Sequence, residues 1–177
     1  EHMTDKSTLQ GSGIRTIVLV GGRDFGRCPL AARLPAALWP IGDRPALVRL
    51  LDHLATEGIT RATVCCDASL AEDVASVCQS GRLAVTVMPE ELISGTAGCL
   101  RDAARSDPGE LILVFSASIA APPPVGRLID AHRSSGADVT VVFNPGRPDG
   151  ESPGPSAEIF LCGPQVLGQI PAGGIAS

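Results

Sequence analysis

Residues Thr16–Pro45 read TIVLVGGRDFGRCPLAARLPAALWPIGDRP, and the order of residue types in this stretch decides the fold. Thr16–Val20 is a short apolar run rich in β-branched residues, the composition of a buried strand. Gly21-Gly22 follows at once, so the strand enters a turn whose backbone a ligand can approach closely. Pro29, Pro35, Pro40 and Pro45 then stiffen a long loop, because each ring fixes φ. Pro45 is tolerated in the first turn of a helix. Behind it Leu47, Leu50, Leu51 and Leu54 recur at helical spacing, with Gly58 as the stop.

The same alternation continues outward. Strands are predicted at Ala62–Cys66, Leu83–Val87, Leu111–Phe115, Val139–Phe143 and Ile159–Cys162. Ser69-x-x-Glu72 is a capping-box pattern opening a helix to about Ser80, with Gly81 just past its end. Gly95-Thr96-Ala97-Gly98 opens another through about Arg105, and a third covers about Val125–Ser135 before Gly136. Pro164–Ile170 reads as a short last helix after the Pro/Gly loop Asn144–Ser156. Strands and helices alternating at this spacing predict an α/β fold, Rossmann-like, with a mostly parallel sheet and helices on both faces. Ligands of such sheets bind beyond the carboxyl ends of the strands, here Gly21, Asp67, Met88, Ser116 and Asn144. Residues 14–177 are expected to form a single domain, and residues 1–13 a tag remnant (Glu1-His2-Met3) with a flexible polar lead-in.

Composition excludes several functions. The net charge of −5 argues against a nucleic-acid partner, which normally calls for a basic face. No apolar run approaches membrane-spanning length, so no membrane partner is expected. Aromatics are only 3%, so the core must be built from Leu, Val, Ile and Ala. The six cysteines have no zinc spacing, and Cys65-Cys66 in a strand puts one thiol on each face. A reduced, cytoplasmic compartment is expected. Lys6 is the sole lysine against thirteen arginines, the mark of a genome that favours Arg codons.

The order strand, paired glycine, Pro-Leu, then spaced prolines resembles the N-terminal signature of the sugar-1-phosphate nucleotidyltransferases, the nucleotide-sugar pyrophosphorylases. Gly95-Thr96-Ala97-Gly98-Cys99-Leu100 is similar to that family's G-T-A-G-A-L, and Leu113–Ser118 lies where the family has L-V-L-N-G-D. Leu128-Ile129-x-x-His132 to Thr140, and Ile159-Phe160-Leu161 to Leu167, resemble later family motifs. The motifs occur in one order over about Ile17–Ile170. The resemblance implies a nucleotide-diphospho-sugar transferase fold. It also implies a reaction in which a sugar phosphate attacks a nucleoside triphosphate and pyrophosphate leaves.

That reaction needs cations around the phosphates and Mg²⁺ on carboxylates. By the resemblance, the signature arginine falls at Gly26, the lysine of P-K at Ala36 and the metal-binding aspartate at Ser118. The base-reading glutamine falls at Met88 or Glu90, while Arg44 keeps the charge of the later G-K-P lysine. The expected site is therefore catalytically degenerate. Nucleotide-binding candidates are the backbone donors at Gly21, Gly22, Gly95 and Thr96, with tight turns as the competing role of those glycines. Arg23 and Arg27 are the catalytic candidates, as a substitute phosphate clamp or as solvated loop side chains. No metal site and no cofactor are expected, Mg²⁺ entering only if the chain is an active sugar-1-phosphate nucleotidyltransferase with a rebuilt site. The expected partners are a nucleotide or nucleotide-sugar, held weakly, and a second copy or an active paralogue. His132 near Asp130 and Asp138 reads as a structural histidine or a metal ligand.

Overall fold

Ile17 and Val18 are completely buried on opposite faces of a six-stranded sheet, at the centre of the stretch quoted above. This computed structural model describes residues 13–22, 28–79, 82–90, 95–105, 109–144 and 154–170. The strands of the main sheet are β1 (Ile14–Leu19), β4 (Arg61–Asp67), β5 (Ala84–Glu90), β6 (Leu111–Ser116), β7 (Val139–Phe143) and β8 (Ser156–Cys162). A small hairpin of β2 (Pro40–Ile41) and β3 (Arg44–Pro45) lies apart from them. The helices are α1 (Ala46–Thr56), α2 (Ala71–Cys78), α3 (Gly95–Ala104) and α4 (Val125–Ser135).

The sheet order is β5-β4-β1-β6-β8-β7, with β5, β4, β1 and β6 parallel. β8 runs antiparallel between β6 and β7. The mostly parallel sheet expected from the alternation is therefore present, with one reversed strand. Its consequence is spatial: the start of β8 lies at the edge where the other strands end.

α1, α2 and α4 cover one face, over Val18, Val64, Leu113, Phe115, Ile159 and Leu161. The helical spacing of Leu47, Leu50, Leu51 and Leu54 has the expected outcome, since none is more than 2% exposed. α3 and the 3-10 turn Pro164–Gln169 cover the opposite face, over Ile17, Cys65, Ile112 and Val114. α3 presents Cys99, Ala103 and Ala104 to the sheet, side chains short enough to bring its backbone close. Gly58 (φ +94°) and Gly136 (φ +62°) follow α1 and α4 in the left-handed conformation, which glycine adopts without strain.

Several element ends differ from the expectation. β5 continues to Glu90 rather than Val87, and β8 starts at Ser156 rather than Ile159. The capping box is corrected: Ser69 does not open α2. Asp67, at the end of β4, accepts from the Ser69 backbone N–H at 2.7 Å and caps the 3-10 turn Ala68–Leu70, and α2 begins only at Ala71. The Asp67 carboxylate reaches the N–H two residues on, so it holds the first turn before Ser69 can. Glu72 and Asp73 then occupy the first turn of α2, where the helix dipole favours negative charge.

Candidate functional site

The carboxyl ends of β1, β4, β5 and β6 converge on a cleft of about 380 Å³, and the antiparallel β8 adds its starting residues to the wall. Gly21 lines it directly after β1, and Cys99, one turn into α3, lines it from the face of the sheet. Of the four candidate backbone donors, Gly21 is in the described lining, and α3, which begins at Gly95, reaches the cleft through Cys99. Gly22 is exposed beside Gly21. Neither of this pair is among the glycines with positive φ. A Cβ built on either would meet nothing within 4 Å. Arg23 and Arg27, with Asp24 and Gly26, lie outside the described residues.

Three carboxylates line the cleft, and sequence reasoning did not group them. Asp67 ends β4, Glu90 ends β5 level with it, and Glu158 comes from β8. Of the two positions offered for the base-reading residue, Glu90 reaches the cleft wall, while Met88 packs into the core beneath α3. Glu158 was hidden because its strand was predicted to start one residue later. It has φ +56°, a left-handed conformation that costs a side-chain-bearing residue about 1–2 kcal/mol. It sits where the pairing of β7 and β8 shifts register, at Val142/Phe143. Glu158 also borders a second hollow of about 570 Å³, whose wall includes Ser118, Asn144 and Ser156.

At the end of β6 the Ser116 and Ser118 hydroxyls share a hydrogen bond of 2.9 Å. This donor set does not fit Mg²⁺, which is held through carboxylates, because two neutral hydroxyls already bonded to each other supply no charge. Among the described residues no group of three or more His, Cys, Asp or Glu could hold a metal ion. Arg44 is not at the cleft. Its Nη1 pairs with Asp52 at 2.8 Å, where the β2–β3 hairpin meets α1. His132 Nδ1 shares a 2.8 Å hydrogen bond with Thr140 Oγ1, tying α4 to β7, while Asp138 accepts from Gln165. The histidine is a structural tie.

The cleft floor carries thiols. Burial pushes Cys66 up to about 11, helped by Cys65, Asp67 and Glu90, and burial pushes Cys78 behind it to about 11. A hydrogen bond with Cys65, then burial, moves Cys99 strongly in the same direction. As expected for neighbours in a strand, Cys65 and Cys66 belong to the packing of opposite faces. An unfolded thiol ionises near 9 and the folded Cys66 and Cys78 near 11, so at alkaline pH the folded state holds more protons than the unfolded one. Their contribution to stability is complete below about pH 9 and falls as pH rises to about 11. The slope is at most about 1.4 kcal/mol per pH unit for each thiol. Urea midpoints across this window should decline in the wild type and decline less in Cys66→Ala/Cys78→Ala.

The sheet, with its helices on both faces, has the α/β nucleotidyltransferase architecture, and sequence comparison agrees. A family model described as nucleotidyl transferase matches residues 15–152, and the chain belongs to that family. It is 28% identical over 130 residues to a mannose-1-phosphate guanylyltransferase of Mycobacterium tuberculosis. That match covers 72% of this chain but only 36% of the relative. Solved structures share the fold, two of them as follows. A Bacillus anthracis protein assigned as a glucose-1-phosphate thymidylyltransferase, solved with sucrose, superposes with a TM-score of 0.71 at 16% identity, over 88% of this chain and 73% of its own. HddC from Yersinia pseudotuberculosis, complexed with GMP-PN, gives 0.65 at 14%, over 89% of this chain and 80% of its own.

Proposed function

We propose that this domain binds a nucleotide or nucleotide-sugar weakly at the carboxyl edge of its sheet and does not turn it over, serving as a regulatory or structural subunit. The observation that carries the reading is the charge of the cleft. Asp67, Glu90 and Glu158 line it, and no lysine or arginine does so among the described residues. Such a wall repels a triphosphate more than a ligand with fewer phosphate charges. The Gly21-Gly22 turn supports the binding half of the proposal. Neither φ nor a described neighbour requires glycine there, whereas a ligand drawn against the backbone would. The two hollows that share Glu158 offer adjacent compartments for a base and a sugar. The Ser116–Ser118 pair supports binding without Mg²⁺.

The candidate nucleotide contacts remain the backbone at Gly21, Gly22, Gly95 and Thr96. A cytoplasmic setting and a partner that is a second copy or an active paralogue belong to the same proposal. Among the described residues no helix is long and apolar enough to cross a membrane. One observation favours the rival reading, an active enzyme with a rebuilt site: three carboxylates do face a common cleft. Pyrophosphate release, measured across the nucleoside triphosphates with Mg²⁺ and several sugar 1-phosphates, separates the two. No release, with calorimetric binding of nucleotide-sugars in EDTA, is the expected result. Sustained release above the no-enzyme rate would establish the enzyme instead.

A further inference from the structure

The opposite, amino-terminal edge of the sheet carries a second pocket, of about 230 Å³, with inverted charge. Its wall is built from the first residues of β1, β4 and β5 and includes Arg15, Arg61, Thr63 and Thr86, with no acidic side chain among the described lining. Ile17 is level with Thr63 in the parallel register, so Arg15 and Arg61, two residues earlier on each strand, are neighbours on the face that α3 covers. Thr63 is level with Thr86 on that same face. Like charges level with each other on adjacent strands are destabilising.

Arg15 is only partly accounted for. Its Nη2 donates to the Ala103 carbonyl near the end of α3, at 2.9 Å, but its Nε is buried with no partner. Unpartnered buried donors are uncommon, and the Arg15 guanidinium is thus held by the protein through Nη2 with Nε left unmatched. Arg61 is exposed and makes no ion pair among the described residues. Thr63, a residue only 5% exposed, also lines the wall. Gly109 closes one side with φ +67°, and a Cβ there would run into the Gly13 carbonyl.

We infer that this pocket is a binding site for a small oxyanion, a phosphate or phosphate monoester, set between Arg15 and Arg61 and the threonine hydroxyls. Two guanidinium groups and hydroxyl donors, with no carboxylate among the described lining, are a donor set that phosphate recognition uses. The site is separate from the cleft, at the other end of the same strands, and α3 touches both: Cys99 lines the cleft and the Ala103 carbonyl accepts from Arg15.

The test is titration of the whole chain with inorganic phosphate at low ionic strength, followed by calorimetry and ³¹P line broadening. Phosphate is expected to bind the wild type. Arg61→Gln, an exposed change that leaves the core intact, should weaken binding about tenfold or more through loss of a charge-assisted contact. Thr63→Val, which keeps side-chain volume, should weaken it less. Glu158→Gln, at the distant cleft, should leave it unchanged, and saturating nucleotide-sugar should not displace the phosphate. No phosphate binding by the wild type, equal binding by Arg61→Gln, or displacement by nucleotide-sugar would each overturn the proposal. Nucleotide binding by Arg61→Gln reports separately on the cleft.

Discussion

Phe115→Ala is expected to destabilise the domain by about 3–5 kcal/mol, the largest loss of any single truncation in this core. Phe115 is 0% exposed in β6, with Val18 level on one side and Ile159 on the other. It belongs to the core packed beneath α1 and α4. The sheet on both sides is held by backbone pairing, so it relaxes little into the space an alanine would leave. Domains of this size have total stabilities of about 5–15 kcal/mol, so the loss would bring the chain near its folding threshold at 37 °C. Phe143 in β7 gives the control. It is 51% exposed at the sheet edge, and Phe143→Ala should cost less than about 1 kcal/mol. Urea titrations of both variants decide it. A Phe115→Ala midpoint close to that of the wild type would mean the two faces of the sheet are not packed as described.

The second large effect concerns charge at the cleft. Gly26→Arg with Ala36→Lys, at the positions where the resemblance puts the family's cations, should tighten triphosphate binding by about a hundredfold or more, and nucleotide-sugar binding by much less. Each charge-assisted contact contributes roughly 1.5–3 kcal/mol, and two of them reach that factor. Ala36 can accept the change: it is exposed in the 3-10 turn Ala36–Leu38, while Ala37 and Leu38 carry the packing. The complementary variant is Glu158→Gly. It removes a carboxylate from the wall and frees a residue held at φ +56°, so it should tighten triphosphate binding and raise stability by about 1 kcal/mol together. Calorimetry with a triphosphate and its nucleotide-sugar, each in EDTA, measures the preference. If triphosphate already binds the wild type more tightly than nucleotide-sugar does, the acidic wall is not setting selectivity.

The core and the strand order were legible to different degrees, for different physical reasons. Leu47, Leu50, Leu51 and Leu54 recur at the helical period, and that period alone announces a buried face, because a helix offers one stripe to its neighbours. Val139–Phe143 and Val125–Ser135 fall where turn residues and apolar runs placed them, since Gly136 stops the helix by its own backbone freedom. Asp67 as the cap of its own turn was not legible. Ser69 and Glu72 fit the capping pattern equally well, and which side chain reaches the free N–H depends on the direction in which β4 delivers the chain.

The sequence by itself determined the α/β alternation, the glycine turn after the first strand, the leucine face of α1 and the absence of an aspartate at Ser118. All of these are local: they depend on the identity or period of residues near one another in the chain. Only the tertiary structure decided that Asp67, Glu90 and Glu158 share one cleft and that Arg15 and Arg61 share one pocket. It also decided that Arg44 belongs to an ion pair with Asp52 rather than to the site. The first depends on the reversal of β8, which sets Glu158 beside the ends of strands far from it in sequence, the second on β1 and β4 being neighbours, and the third on how the β2–β3 hairpin meets α1. Strand order is fixed by how helices of given length cover two faces of one sheet, a property of the packed whole that no single segment carries.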